Sequence, residues 1–162
     1  MALLERLRVF LEENRVEYTH TVHPLAFTAR EVASAEHLPA REVAKVVILF
    51  GDNGYHMAAV PAARLVDFQE VRLALGLTHA RLATEQELAQ LFPDCELGAM
   101  PPFCNLYHMP VYLDSVLAGE SVMAFNAGSH RDVVHMRSDD FRRLVHPMVV
   151  SLAREAVARH GW

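Results

Sequence analysis

Apolar residues fall at helical spacing near the start of the chain. Leu3, Leu4, Leu7, Phe10 and Leu11 share one face, while Glu5, Arg6, Arg8, Glu12 and Glu13 fall mainly on the other. This period predicts a surface helix over residues 2–14 with a buried stripe. Residues 16–22, Val-Glu-Tyr-Thr-His-Thr-Val, are β-branched and aromatic and predict a strand, broken by His23-Pro24. Thr28 and Glu31 have the spacing of a capping box, which predicts a helix carrying Ala29, Val32, Ala33 and Glu36 and ending before Pro39. Residues 45–50 are a nearly continuous apolar run and predict a strand covered on both faces. Asp52-Asn53-Gly54 then predicts a hairpin, with residues 55–60 as the return strand closed by Pro61.

The second half has a less regular pattern. Asp67 with Glu70 and Thr84 with Glu87 predict two further capped helices, through Leu75 before Gly76 and through Leu91 before Phe92-Pro93. Residues 79–83 predict a short strand between them, and residues 94–108 carry little regular pattern. Residues 110–113 and 120–126 predict strands joined by a turn at Ser115–Gly119, and Gly128-Ser129-His130 a tight turn into a strand over 132–136. Ser138 or Asp139 is placed to cap a short helix carrying Phe141 and Leu144. Residues 148–159 predict a final helix with Val149, Val150, Ala153, Ala156 and Val157 inward. Helices and strands alternate without a strict βαβ rhythm. The expected fold class is therefore α+β, a mixed β-sheet core surrounded by helices.

Composition narrows the class. The 162 residues are 52% hydrophobic and 22% charged, which suits one globular domain spanning 1–162 rather than a disordered chain. No apolar run reaches bilayer length, and charges interrupt the apolar N-terminus, so a soluble, cytoplasmic protein without a signal peptide is expected. The net charge of −5 argues against a broad basic nucleic-acid surface but is compatible with a grip on the end of an RNA. Arg137, Arg142 and Arg143 are the only noticeable basic cluster, which a solvated helix face explains equally well. Cys95 and Cys104 fit neither a CxxC pair nor a secreted disulfide framework, and are expected to be buried free thiols.

Familiar catalytic motifs are missing. Among ten histidines, His20 and His23 are three apart and His130 and His135 five apart, but none is joined by the Cys or carboxylate spacing of a zinc site. No HExxH, GxSxG or GxxxxGK[ST] motif occurs, and no cofactor is called for. One asymmetry stands out: of 15 basic residues, 14 are arginine and the single lysine, Lys45, opens the apolar strand. A compact ammonium does what a planar guanidinium fork cannot, so a functional role competes evenly with chance survival of one snorkelling lysine. Two small-residue segments accompany it. Gly98-Ala99-Met100-Pro101-Pro102 can present backbone N–H groups to an oxygen, or simply connect helix to strand. Asn126-Ala127-Gly128-Ser129-His130 ends in an imidazole able to exchange a proton near neutrality, although a surface histidine is the commoner case.

The combination resembles the YbaK/prolyl-tRNA-synthetase-associated-domain family. Thr28-Ala-Arg-Glu-Val-Ala33, Val43-Ala-Lys45-Val-Val, Ala59-Val60-Pro61, Leu65-Val-Asp67, Gly98-Ala-Met-Pro-Pro102, Leu113-Asp114 and Phe125-Asn-Ala-Gly128-Ser-His130 match its blocks in order over about residues 16–146. The resemblance implies a YbaK-like fold and hydrolysis of a small mischarged amino acid (Ala, Ser, Thr or Cys) from tRNA, with tRNA-Pro the expected carrier. It implies the 3′ acceptor end of aminoacyl-tRNA as partner, and prolyl-tRNA synthetase as a second. It casts Lys45 as the lysine that holds the aminoacyl-adenosine end, Gly98 to Pro102 as the loop at the ester, and His130 as the histidine of the alanine-specific and synthetase-inserted members. Lys45, Gly98 and His130 are thus the expected catalytic residues. Thr28, Val46, Pro61, Ala99, Met100, Pro101, Pro102, Ala127, Gly128 and Ser129 are the expected substrate-binding residues, with Val46, Met100, Phe103 and Ala127 as apolar lining. Val46 departs from the family, where several members carry Asn, Ser or Thr. An inactive accessory module of the same fold, binding aminoacyl-tRNA or a synthetase, is the alternative reading.

Overall fold

The computed structural model describes residues 4–52 and 54–155. The chain runs α1 (Glu5–Glu13), β1 (Tyr18–Val22), α2 (Ala29–Ala35), β2 (Ala44–Gly51), β3 (Gly54–Pro61), β4 (Arg64–Val66), α3 (Phe68–Leu75), β5 (Arg81–Leu82), α4 (Glu85–Leu91), α5 (Cys104–Tyr107), β6 (Val111–Asp114), α6 (Ser115–Ala118), β7 (Val122–Asn126), β8 (Asp132–Arg137), α7 (Ser138–Val145), β9 (Met148–Val150) and β10 (Ala153–Glu155). A 3-10 turn, Ala40–Glu42, leads into β2.

Three sheets organise these elements. A mixed five-stranded sheet has the order β5-β2-β3-β6-β9, antiparallel across β5, β2 and β3 and parallel from β3 to β6 to β9. An antiparallel sheet has the order β1-β8-β7, and β4 pairs with β10. A parallel bridge between Val43 and Ala124 ties the first two sheets together beside the start of β2. The architecture is the expected α+β class, a mixed sheet with helices around it.

The alternation of β2 explains why its sequence is apolar throughout. Ala44 and Ile48 enter the main core with Met57 and Ala59 of β3, while Leu49 packs on the other face with Ala58, Val60, Val71 and Leu152. Residues covered on both faces read as an unbroken run. The main core also takes Leu7 and Leu11 from α1, Met123 and Phe125 from β7, and Phe141 from α7. Phe103 sits at its centre, with ring centroids 5.5 Å from Phe125, 5.3 Å from Phe141 and 5.9 Å from Phe10. A third cluster seats α2 through Val32 and Ala33 against Val43, Ala62, Ala124 and Val133.

Four expectations are corrected. Residues 148–155 form β9 and β10 instead of a helix, and residues 156–159 lie outside the described residues. Met148-Val-Val continues the parallel sheet beside β6, and the buried Asp114 then accepts the Leu152 N–H at 2.8 Å, drawing the chain toward β4. The turn expected at Ser115–Gly119 is the one-turn helix α6, and β6 and β7 on either side of it belong to different sheets. Neither Ser138 nor Asp139 caps α7; Arg137 holds the cap position without a side-chain bond, and Ser138 is buried in the first turn. The unpatterned stretch 94–108 contains α5. Cys95 is a free, half-buried thiol 3.2 Å from the Tyr107 hydroxyl, while the Cys104 side chain lies outside the described set. No helix of the described residues is long and apolar enough to cross a membrane.

Replacing Phe103 with Ala removes a fully buried ring from the centre of three aromatic contacts. The expected loss of stability is about 3–5 kcal/mol, read as a lower urea midpoint at unchanged slope.

Candidate active site

The starts of α2 and β2 are fixed by local chemistry. Thr28 Oγ1 accepts the Glu31 N–H at 3.0 Å and the Thr28 N–H donates to Glu31 Oε1 at 3.2 Å, so the capping box places Arg30 in the first turn of α2. In β2, Ala44, Lys45 and Val46 stand opposite Pro61, Val60 and Ala59. A cleft of about 610 Å³ opens across these two starts. Phe27, Thr28, Arg30, Lys45, Val46 and Arg64 line it, together with Gly98 and Met100 from the loop before α5 and Asn126 from the end of β7.

Of the residues singled out from sequence, the cleft gathers Thr28, Lys45, Val46, Gly98 and Met100. Pro61 lines an adjoining groove. Ala99, Pro101, Pro102, Phe103 and Ala127 are buried behind the cleft wall. Ser129 is buried too: its hydroxyl donates to Asp132 Oδ2 at 2.5 Å and accepts the Arg131 and Asp132 N–H groups at 3.1 Å each. Asp132 in turn meets His20 Nε2 at 2.6 Å, so Ser129 shapes its turn from inside.

The turn 126–130 and the loop 96–99 are stitched together. The Gly128 N–H donates to Ala99 O at 2.8 Å and the Glu96 N–H to Gly128 O at 2.8 Å. The His130 N–H donates to Glu96 Oε1 at 2.6 Å, and His130 Nε2 lies 2.5 Å from Leu97 O. A carbonyl only accepts, so Nε2 carries the proton, while Nδ1 is buried without a partner. The His130 ring therefore sits behind the loop, 5.1 Å from the Phe27 ring, and is absent from the cleft lining. Both glycines are needed for shape. Gly98 has φ +82°, and Gly128 has φ +99° with Leu4 Cβ only 2.9 Å from where its own Cβ would stand. Among the described residues, neither the Gly98 nor the Met100 backbone N–H is taken by another protein group.

A profile of the aminoacyl-tRNA editing domain matches residues 23–144. The chain belongs to that family. The editing domain is also similar to solved structures, which share its fold. One, described provisionally as a trans-editing enzyme for prolyl tRNA synthetase, is 22% identical with a TM-score of 0.81, covering 93% of this chain and 96% of that one. Another, a hypothetical protein, is 14% identical with a TM-score of 0.83, covering 93% and 100%. A signal transduction protein from Marinobacter aquaeolei, also so described provisionally, is 16% identical with a TM-score of 0.71; the match covers 91% of this chain but 31% of that one. None of the curated proteins compared with the chain matches it.

The electrostatics of the editing domain's cleft are one-sided. Its wall carries the Lys45 ammonium and the Arg30 and Arg64 guanidiniums, and no carboxylate. Lys45 Nζ donates to Arg64 O at 3.0 Å, and no described carboxylate lies within ion-pair distance of it. Burial, and then the Arg30 charge, push the Lys45 amine below the ordinary lysine value of 10.5. Asn126 adds a side-chain amide with no described partner, its Oδ1 shielded from solvent. Phe27, Arg30, Arg64 and Asn126 were not singled out from sequence. Arg30 and Asn126 lie inside family blocks, but only the fold brings residues 30, 64 and 126 to one lysine. Among the described residues, no three His, Cys, Asp or Glu side chains cluster as a metal site.

The lowered Lys45 value has a signed consequence. Between that value and 10.5 the folded chain holds fewer protons on Lys45 than the unfolded chain, so the free amine is present at lower pH than in an ordinary lysine. As the chain has a single lysine, an amine-acylating reagent followed by mass spectrometry reads it directly. The half-maximal rate of Lys45 acylation is expected at a pH below that of the same residue in the urea-unfolded chain; coincident profiles would refute the assignment.

Proposed function

We propose that this protein is an aminoacyl-tRNA deacylase acting in trans, which hydrolyses the ester of a small mischarged amino acid on tRNA. The observation that carries the proposal is the acid-free cleft in which the half-buried Lys45 ammonium and the Gly98 loop share one wall. An ester bound there meets cations and N–H donors and no carboxylate. Its carbonyl oxygen gains negative charge as water attacks, and the unused N–H groups of Gly98 and Met100 are available to stabilise it. Lys45 holds the terminal ribose or phosphate, and the neighbouring ribose hydroxyl orients the water, so no protein nucleophile is required. Val46 and Met100 give the acyl side chain an apolar surface. A second, smaller pocket is the physical answer to a synthetase that cannot reject a smaller amino acid by size, since one methylene discriminates by about 1–3 kcal/mol. Alanine, serine, threonine or cysteine on tRNA-Pro is the proposed substrate set, with prolyl-tRNA synthetase as proposed partner. In this reading His130 is a positioning residue that acts through Leu97 on the Gly98 loop.

A panel of alanyl-, seryl-, threonyl- and cysteinyl-tRNA tests the reading. Wild-type protein is expected to deacylate at least one, and Lys45→Ala and Lys45→Arg to lose on the order of 10–10² in kcat/KM, the scale of a lost hydrogen bond to a charged group. Full activity in both variants would remove Lys45 from the mechanism; a wild type inert on all four would favour the accessory-module reading.

His130 separates positioning from proton transfer. His130→Gln keeps a side-chain donor for Leu97 O and should retain more activity than His130→Ala, with the wild-type pH profile. A pH limb lost in His130→Gln would make the imidazole a proton carrier instead.

A further inference from the structure

The cleft does not end at Lys45. A second groove of about 400 Å³ adjoins it, lined by Arg30, Arg41, Pro61, Ala63, Arg64, Val116 and Glu155. Arg30, Ala63 and Arg64 line both. Three guanidiniums therefore line the adjoining groove, two of them shared with the Lys45 cleft, although the whole chain carries a net charge of −5.

Two of these arginines spend one nitrogen each on an ion pair, and Arg30 spends none among the described residues. Arg30 makes no ion pair with any described residue. Arg41 bonds Glu120 through Nε at 2.8 Å, and no described residue takes its two terminal nitrogens. Arg64 reaches the one acid of the groove, Glu155, at 3.5 Å, and that carboxylate is 82% exposed. Exposed pairs of this kind hold their partners weakly and exchange readily. At the mouth of the cleft, Phe27 is 63% exposed and Leu65 43%, both on its lining. A row of cations with an open aromatic face at one end suits single-stranded nucleic acid, whose phosphates track the cations while a base stacks on the ring. Planar guanidiniums match phosphate oxygens two at a time.

We infer that the single-stranded 3′ end of the RNA leaves the cleft along this groove, its phosphates held by Arg30, Arg64 and Arg41 and its terminal base against Phe27. The inference rests on the deacylase reading for the identity of the RNA, but it concerns binding, not chemistry. A local track of this kind lets an acidic protein grip an RNA end without a basic surface.

Binding of a fluorescently labelled, uncharged RNA oligonucleotide ending in CCA tests it, by anisotropy over a series of salt concentrations. Wild type, Arg30→Gln, Arg41→Gln and the double variant are compared, with circular dichroism as a check on folding. Each single substitution is expected to weaken binding on the order of tenfold, the low end for a charge-assisted hydrogen bond. The slope of log affinity against log salt should become shallower by about 0.7 for each phosphate no longer neutralised. Affinities and slopes equal to wild type in the double variant, or wild-type binding no tighter than that of adenosine, would overturn the inference. Hydrolysis of 2′(3′)-O-aminoacyl-adenosine, which has no phosphate, is measured in parallel on wild type. Its absence would count against the deacylase reading and leave the binding result to judge the groove.

Discussion

Four hydrogen bonds between the turn 126–130 and the loop 96–99 hold the candidate site together. The turn ends β7 and begins β8, so it is as rigid as the antiparallel sheet behind it. The loop has no sheet of its own. It borrows rigidity through Gly128, Glu96 and His130, whose bonds run from 2.5 to 2.8 Å. A glycine at φ +82° is entropically costly to fix, and these bonds offset that cost. Without them Gly98 would not stay on the wall that Lys45 occupies, and two regions more than fifty residues apart in sequence would not share a cavity.

The cleft they form is rich in donors and lacks acids. An ammonium half removed from water without a counter-charge is uncomfortable when the cavity is empty, which is why the Lys45 amine sits below the usual lysine range. An anion or a polarised ester relieves that discomfort, and in a site of reduced dielectric the attraction is stronger than at the surface. The −5 charge is carried elsewhere, by exposed carboxylates such as Glu5 and Glu12 of α1. Positive charge is therefore concentrated at the cleft of a molecule that is acidic as a whole.

How far this could be foreseen depended on the range of the interactions. The capping boxes at Thr28 and Thr84 and the β2–β3 hairpin are set by residues three or four apart, and each was visible in the string. Lys45, the lysine of the candidate site, stands out because composition isolates it. Residues 148–155 read as helix in the string because a short apolar run has no decisive period. Its partner strand, β6, lies more than thirty residues away and decides for the extended form. Ser138 looked like a cap from its type alone, yet the chain enters α7 one residue earlier with that hydroxyl turned inward. The family resemblance casts His130 as a catalytic residue; in the fold its ring meets the Leu97 carbonyl, an arrangement that no local pattern encodes. Arg30, Arg64 and Asn126 became neighbours of Lys45 only through tertiary folding.

Helix α1 reaches the same machinery from behind. The Leu4 N–H donates to Ala127 O at 3.0 Å, and the Leu4 side chain fills the space a Cβ on Gly128 would claim. The back of the turn is thus closed by the first described residue of the chain. Gly128 in turn bonds Ala99, whose neighbours Gly98 and Met100 line the cleft, so whatever tugs on the amino-terminal helix, a fused tag or a bound neighbour, acts on the cleft wall through one glycine and one hydrogen bond.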